Sequence, residues 1–293
     1  MHLLLLSLPL PSPFSSYDRL LPSLSSSKVC VVGIGGVGSH AAMALARSGL
    51  GEIVLVDGDD VCTSNVNRQV QATFPNVGRS KVSALADSLR SVNPTITIVG
   101  IEDFVTSDTL SDIFSPSGPV AGCDCVLDCV DGASTKASIL ISCLSLSLPV
   151  LTAGAAAGLT DPTKIVVEDL ARARGDPLLQ GVRKVLRKEH GYSKGPGDGV
   201  KNVHRPRKWN IPAVLSSQSE RVGPRARPGG GSLRACDTVM GTAVYVTATF
   251  GHVAASWAAE VCGRKGEGGG GATGGERALQ RESEVNSPVS PLP

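Results

Sequence analysis

Apolar residues fall along this chain in two rhythms. Short runs rich in β-branched residues recur, and between them lie stretches whose apolar positions follow helical spacing. Val29 to Val32 predicts a buried strand, Ala41 to Gly49 a helix and Glu52 to Val56 a second strand. A helix opens over Gly78 to Lys81 and runs to about Val92, where Asn93-Pro94 stops it. The alternation continues with a strand over Thr95 to Ile101, a helix over Thr106 to Phe114 and a strand over Cys123 to Val130. A helix over Ser134 to Leu146 and a strand over Pro149 to Ala153 complete it. Strands that alternate with helices in this way predict a parallel sheet covered on both faces.

From Thr163 the rhythm changes. Lys164 to Val167 is a β-branched run with no helix before it, Asp169 to Ala173 and Asp176 to His190 read as helical, and Ile211 to Leu215 reads as a strand. Val239 to Val261 is a long apolar segment. His252, Glu260 and its scattered Gly, Thr and Ser favour a helix buried in the core or in a subunit interface over a membrane span. The expected fold class is α/β: a Rossmann-like, mainly parallel sheet with helices on both faces, extended by a C-terminal part with additional strands and a long apolar helix. Residues 28–263 are expected to form the domain, with mobile loops over 191–208 and 217–235. Residues 1–27 are expected as a disordered or leader segment and 264–293 as a low-complexity tail.

Candidate chemistry gathers where the strands end. Gly33, Gly35 and Gly38 stand at G-x-G-x-x-G spacing, with Gly36 among them, between the first strand and the first helix. Glycines there permit a tight turn, let a phosphate approach the backbone and let the helix pack on the strand, while the helix N-terminus attracts negative charge. Asp57 ends the second strand, where an acid can hold a ribose hydroxyl. The polar stretch after it brings Asn65, Arg68 and Gln69 to the expected ligand crevice; a solvated surface loop is the alternative. Lys81 sits in the first turn of a helix, unfavourable for a cation unless an anionic ligand or a partner carboxylate offsets it. Asp131 follows the fourth strand. It suits magnesium, which prefers hard oxygen ligands, or an N-cap of the next helix, and the two roles can coexist. Gly154 to Gly158 is a run of small residues that lets backbone approach a ligand or another subunit.

Composition adds less. The chain has 293 residues, 41% of them hydrophobic, enough for one large core. A net charge of +2 says little, but Arg183 to Lys208 is strongly basic, opposed only by Glu189 and Asp198, with Trp209 beside it. Such a stretch suits a phosphate backbone or forms a solvated linker. The eight cysteines include no C-x-x-C pair, and Cys123, Cys125 and Cys129 fall on a predicted buried strand. They read as buried thiols in a reducing compartment rather than a metal cluster. His2 to Ser16 is leucine-rich, too short to span a bilayer, and lacks the basic region of a secretory signal. The protein is therefore expected not to be secreted, with cytoplasmic and organellar placement both open.

In the order GIGGVG, VDGDDV, SNVNRQ, GRSKV and DCVDG, the stretch from Lys28 to about Ala153 resembles the ubiquitin-activating superfamily in its bacterial-type single-domain form. A hydride-transfer Rossmann enzyme needs neither the N-x-x-R-Q loop nor the lysine that follows it. The resemblance implies ATP binding and adenylation of a carboxylate. It assigns Gly33, Gly35 and Gly38 to the phosphates, Asp57 to the ribose, Asn65, Arg68 and Lys81 to the triphosphate and Asp131 to magnesium. Arg68, Lys81 and Asp131 would then carry the catalysis.

The second half, with TAGAAAGLTDPTKI, VEDLARARGDPLLQGVRKVLRKEHG and VTATFGHVAAS, is similar to the tRNA threonylcarbamoyladenosine dehydratases. That likeness implies activation of the threonyl carboxylate of a modified adenosine in tRNA, then attack from within the same side chain to give a cyclic product. It also implies a homodimer and a sulfur-relay or cysteine-desulfurase partner. The family carries an arginine segment before the first strand, for which only Tyr17-Asp18-Arg19 is available here, and a cysteine where this chain has Ala213. Other readings are an adenylyltransferase for a ubiquitin-like or sulfur-carrier protein, a non-catalytic nucleotide-binding homologue, and, from the glycines alone, a nicotinamide oxidoreductase. The carrier reading is disfavoured by the missing C-x-x-C pairs and by the absence of cysteine between Cys143 and Cys236.

Overall fold

The computed structural model describes residues 22–193, 208–218 and 241–267. Strands β1 (Lys28–Val32), β2 (Glu52–Val56), β3 (Thr97–Ile101), β4 (Cys125–Asp128), β5 (Val150–Ala153), β6 (Ile165–Asp169) and β7 (Pro212–Ser216) form one seven-stranded sheet in the order β3-β2-β1-β4-β5-β7-β6. Neighbours pair in parallel except β6 with β7, which run antiparallel. The order reverses between β1 and β4, which opens a crevice beyond their carboxyl ends.

Helices α1 (Gly38–Arg47), α2 (Lys81–Val92) and α6 (Val244–Glu267) cover one face; α3 (Leu110–Ile113), α4 (Ala133–Ser145) and α5 (Pro177–Glu189) cover the other. The strand side chains divide accordingly. Val29 and Val31 point into the first layer and Cys30 and Val32 into the second, all at 1% exposure or less. A strand buried on both faces reads as a continuous apolar run, which is why β1, β2 and β4 stand out in the sequence.

The C-terminal expectations need correction. The helix expected over Asp169 to Ala173 is a turn after β6. The Asp169 carboxylate accepts from the N–H groups of Ala171 at 2.9 Å, Trp209 at 3.0 Å and Asn210 at 2.7 Å, and so draws the backbone away from helical pairing. The helix expected over Thr106 to Phe114 is confined to α3, because Thr109 turns its hydroxyl to the Phe104 carbonyl at 2.6 Å. The long C-terminal helix is not apolar all round. Val246, Phe250, Ala254, Ala258 and Cys262, four residues apart, are buried, while Tyr245, His252, Ser256 and Glu260 face outward. Among the described residues no helix is long and apolar enough to cross a membrane. Tyr17 to Arg19, most of the two expected loops and residues 268–293 lie outside the described residues. The described part of 1–27 includes Leu24, which is buried in the core.

Candidate functional site

The site forms where β1, β2 and β4 end. Gly33 leaves β1 with φ +81, and its N–H donates to the Val56 carbonyl at 2.8 Å. The space where a side chain would stand holds backbone instead, with Cys129 C and Val130 N each 2.9 Å away. Gly38, the first residue of α1, packs where any side chain would meet the Gly33 carbonyl. The loop is thus folded as tightly as backbone allows, and no side chain caps the N-terminus of α1.

The polar loop after β2 is laced onto this glycine loop. Gln71 Nε2 donates to the Ile34 carbonyl at 2.8 Å, and the Val70 N–H donates to Ser39 Oγ at 3.2 Å. His40 Nε2 lies 3.2 Å from the Arg68 carbonyl. Arg68 Cδ comes within 3.4 Å of a side-chain position at Gly36, and Gln69 Nε2 within 3.8 Å of one at Gly35. From the other side α6 brings Thr247 Cγ2 within 3.1 Å at Gly36. Asn65 is buried and its Oδ1 accepts from the Cys62 N–H at 3.0 Å. Arg68 donates through Nη1 to the Ser64 carbonyl at 2.7 Å and to Asn67 Oδ1 at 2.9 Å. Burial lowers its pKa from the usual value, yet a guanidinium keeps its charge near neutrality. Among the described residues no carboxylate pairs with it.

Asp57 and Lys81 meet at the end of β2. Asp57 accepts from the N–H groups of Ile34 at 2.8 Å and Asp59 at 3.0 Å. Lys81 Nζ lies 3.8 Å from Asp57 Oδ1 and donates to Asp59 Oδ2 at 2.7 Å. Of the two partners open to Lys81 in the sequence, the structure supplies the carboxylate. Burial raises the Asp57 pKa, and Lys81 and the two N–H groups pull against it. A carboxylate offers about four acceptor directions, so Asp57 retains capacity beyond its two backbone bonds.

Asp131 is exposed, and the residue that caps α4 is Gly132, without a side-chain bond. The N-cap role expected for Asp131 is therefore corrected: the helix starts one residue too late for its carboxylate to reach the first N–H groups. No hydrogen bond joins Asp131 to the other candidates among the described residues. It stands instead one residue beyond the Cys129–Val130 segment that abuts Gly33. No group of three or more metal-ligating side chains occurs among the described residues. Magnesium needs none when phosphates complete its shell, since one or two carboxylates suffice.

The sequence pattern does not single out Ser39, His40, Gln71 or Thr247, which pack or bond against the candidates, nor does it assign a role to Asp59. Asp59 lies in the quoted VDGDDV stretch, and an acid two residues after Asp57 is the one signal that could have found Lys81's partner. A cavity of about 860 Å³, lined by Cys123, Pro149, Pro212, Trp257 and Arg264 among others, opens at the amino ends of β4, β5 and β7, opposite the crevice.

A model of the ThiF family matches residues 15–268. The tRNA threonylcarbamoyladenosine dehydratase of Haemophilus influenzae is 39% identical over 238 residues, which cover 80% of this chain and 85% of that protein. The Escherichia coli enzyme of the same name is 38% identical over 245 residues, 82% of this chain and 88% of the relative. The crystal structure of E. coli tRNA N6-threonylcarbamoyladenosine dehydratase in complex with ATP matches with a TM-score of 0.72 at 36% identity, covering 86% of this chain and 92% of that one.

Proposed function

The chain belongs to the ThiF family, and on that premise we propose that it is an ATP-dependent tRNA threonylcarbamoyladenosine dehydratase. It adenylates the threonyl carboxylate of threonylcarbamoyladenosine in tRNA and lets the activated group cyclise. The observation that carries this reading is a likeness to named dehydratases running through both halves of the chain, over 238 residues at 39% identity, joined to a crevice walled by Gly33–Gly38, Asp57, Arg68 and Lys81.

A carboxylate is a poor electrophile until one oxygen becomes part of a leaving group. In the first step that oxygen attacks the α-phosphorus of ATP and pyrophosphate departs. In the second, a neighbouring atom of the same modification attacks the carbonyl carbon and AMP departs, so the product has lost one water. Gly35, Gly36 and Gly38 offer the phosphates their backbone N–H groups, Gly33, whose own N–H is held by the Val56 carbonyl, makes the turn that lets the phosphates approach, and Asp57 accepts from the ribose. Arg68 meets the charge that builds at the α-phosphate with its planar fork, Lys81 adds a point charge, and Asn65 and Gln69 join them on the nucleotide. Asp131 offers magnesium a solvent-facing carboxylate oxygen at the crevice rim; magnesium there supplies charge neutralisation on phosphate oxygens. Ring closure is intramolecular, so holding the side chain in place lowers much of the barrier. It needs no protein nucleophile, in keeping with a sequence that has no cysteine between Cys143 and Cys236.

The tRNA partner is supported by charge. Arg183, Lys184, Arg187 and Lys188 lie along α5, Arg187 stacks 5.5 Å over the Trp209 ring, and Tyr192 packs edge-on to that ring at 4.7 Å. A homodimer belongs to the same reading, with the exposed Val244 and Tyr245 at the start of α6 as surface to bury. A sulfur-relay or cysteine-desulfurase partner rests on family resemblance alone.

ATP–pyrophosphate exchange tests the reading, measured with threonylcarbamoyl-modified tRNA, with a ubiquitin-like carrier protein and with neither. Exchange driven by the modified tRNA is expected. Exchange driven by the carrier alone would make the protein a carrier adenylyltransferase, and none with either substrate would leave a nucleotide-binding homologue.

A further inference from the structure

Beneath the turn that carries Asp131 lies a cluster of polar groups closed off from solvent. Asp128 ends β4, Thr152 lies beside it on β5, Lys136 stands near the start of α4, and all three are 0% exposed. Lys136 Nζ lies 3.1 Å from Asp128 Oδ2 and donates to the Asp128 carbonyl at 3.1 Å and to Thr152 Oγ1 at 3.2 Å. The Thr152 hydroxyl donates to Asp128 Oδ2 at 2.7 Å, and Asp128 Oδ1 accepts from the Val130 N–H at 3.3 Å. The three donors of the ammonium are matched by three acceptors.

Stability alone gives little reason for such a cluster. Removing both charges from water is costly, and an apolar pair of similar volume commonly stabilises a core as well or better. A cation near a helix N-terminus also opposes the helix dipole. What the bonds share is their end point. They grip the carbonyl of Asp128 and the N–H of Val130, the two sides of the turn between β4 and α4. The same turn fills the space beside Gly33, where Cys129 C and Val130 N stand 2.9 Å from a side-chain position. The turn is therefore pinned from below by α4 and β5 and from the side by the glycine loop, and Asp131 is its next residue.

We infer that Lys136, Asp128 and Thr152 are positioning residues: a buried brace that sets the Asp131 carboxylate relative to the phosphate-cradling loop. The inference rests on the proposed magnesium role of Asp131. Loss of the brace then weakens the effect of magnesium on ATP and leaves the metal-independent hold on AMP intact.

The test uses the full chain and calorimetric titrations of AMP without metal and of ATP at rising magnesium. Removing one partner alone strands a buried charge, so the main variant is Lys136→Met with Asp128→Asn; Thr152→Val, which disturbs no charge, serves if the double variant does not fold. The double variant is expected to bind AMP within about twofold of the parent, and its half-effective magnesium concentration to rise about 10–100-fold, the range for lost outer-shell partners. Thr152→Val is expected to shift it in the same direction by less, and Lys136→Arg to restore most of the parent behaviour. In an Asp131→Asn background the brace variant is expected to add nothing, because both act through one carboxylate. An unchanged magnesium midpoint in a folded brace variant, with Asp131→Asn shifting it, overturns the brace alone. A loss of AMP affinity equal to the loss of magnesium response overturns it too, since the whole wall has then moved. If Asp131→Asn itself leaves the midpoint unchanged, the metal role of Asp131 fails and the brace falls with it.

Discussion

Adding one methyl group at two positions of the glycine loop separates folding from binding. At Gly33 the backbone has φ +81, and a Cβ would stand 2.9 Å from Cys129 C and from Val130 N. Alanine in the left-handed region costs about 1–2 kcal/mol. Backbone cannot swing aside as a side-chain tip can, so overpacking adds about 1–3 kcal/mol. Gly33→Ala is therefore expected to lose about 2–5 kcal/mol of unfolding free energy. Gly35 has no positive φ, and a methyl there meets only Gln69 Nε2, at an ordinary 3.8 Å. Gly35→Ala should stay within about 1 kcal/mol of the parent and even gain slightly from a less flexible unfolded chain. Its methyl would occupy space reserved for phosphate, so ATP affinity should fall at least about tenfold, about 1.4 kcal/mol. Urea unfolding followed by circular dichroism gives the first pair of values and calorimetric titration with ATP the second. A Gly33→Ala variant as stable as the parent would refute the packing at Gly33, and a Gly35→Ala variant with parental ATP affinity would refute the phosphate site.

Other substitutions probe the walls of the crevice. Arg68→Ala should lower the adenylation rate about 10²–10³-fold, the scale for losing a preorganised charge at a developing anion, while urea unfolding shifts by no more than about 1 kcal/mol. His40 is held below its ordinary pKa chiefly by burial, with His252 adding to the effect and the Arg68 carbonyl opposing it. A depressed histidine contributes stability that is present above the unfolded pKa of about 6.5 and is lost as pH falls through the folded value. Thermal unfolding of the parent should therefore weaken on acidification below about pH 6.5, and His40→Gln should flatten that slope; a parental slope in the variant counts against it. Asp176 accepts from the N–H groups of Leu179 and Ala155, each at 2.9 Å, and so caps α5 and ties it to the end of β5. Asp176→Ala should cost about 2–4 kcal/mol in urea unfolding, the sum of a lost cap and a buried N–H left unmatched.

The sheet from β1 to β5 is legible in the sequence because β1, β2, β4 and β5 are buried on both faces, the half-buried edge strand β3 is still rich in β-branched residues, and the helices between them are buried on one face, so apolar runs and helical stripes alternate. Gly33, Gly35, Gly38 and Asp57 are legible because turn geometry restricts what can stand there. The loop after β2 is only half legible. Arg68 and Gln69 belong to a recognisable stretch, but what fixes them are single bonds from His40, Ser39 and to Ile34, spanning 28, 31 and 37 residues, and such bonds leave no periodic trace. Beyond Thr163 the reading weakens for a similar reason. Asp169 bonds to Trp209 and Asn210 across a long loop, and those bonds override a helix-like stretch that local pattern alone favours. The Lys136 brace is invisible to pattern because a lysine near a helix start normally faces solvent, and only the fold puts Asp128 and Thr152 beside it.

The central claim is that this crevice uses ATP to make a threonyl carboxylate displaceable by its own neighbour. The most direct measurement is mass spectrometry of nucleosides from threonylcarbamoyl-modified tRNA incubated with the purified protein, ATP and magnesium, with AMP counted in parallel. The modified adenosine should lose the mass of one water, only when ATP is present and with one AMP formed for each cyclised nucleoside. An unchanged nucleoside, or water loss without AMP, would contradict it.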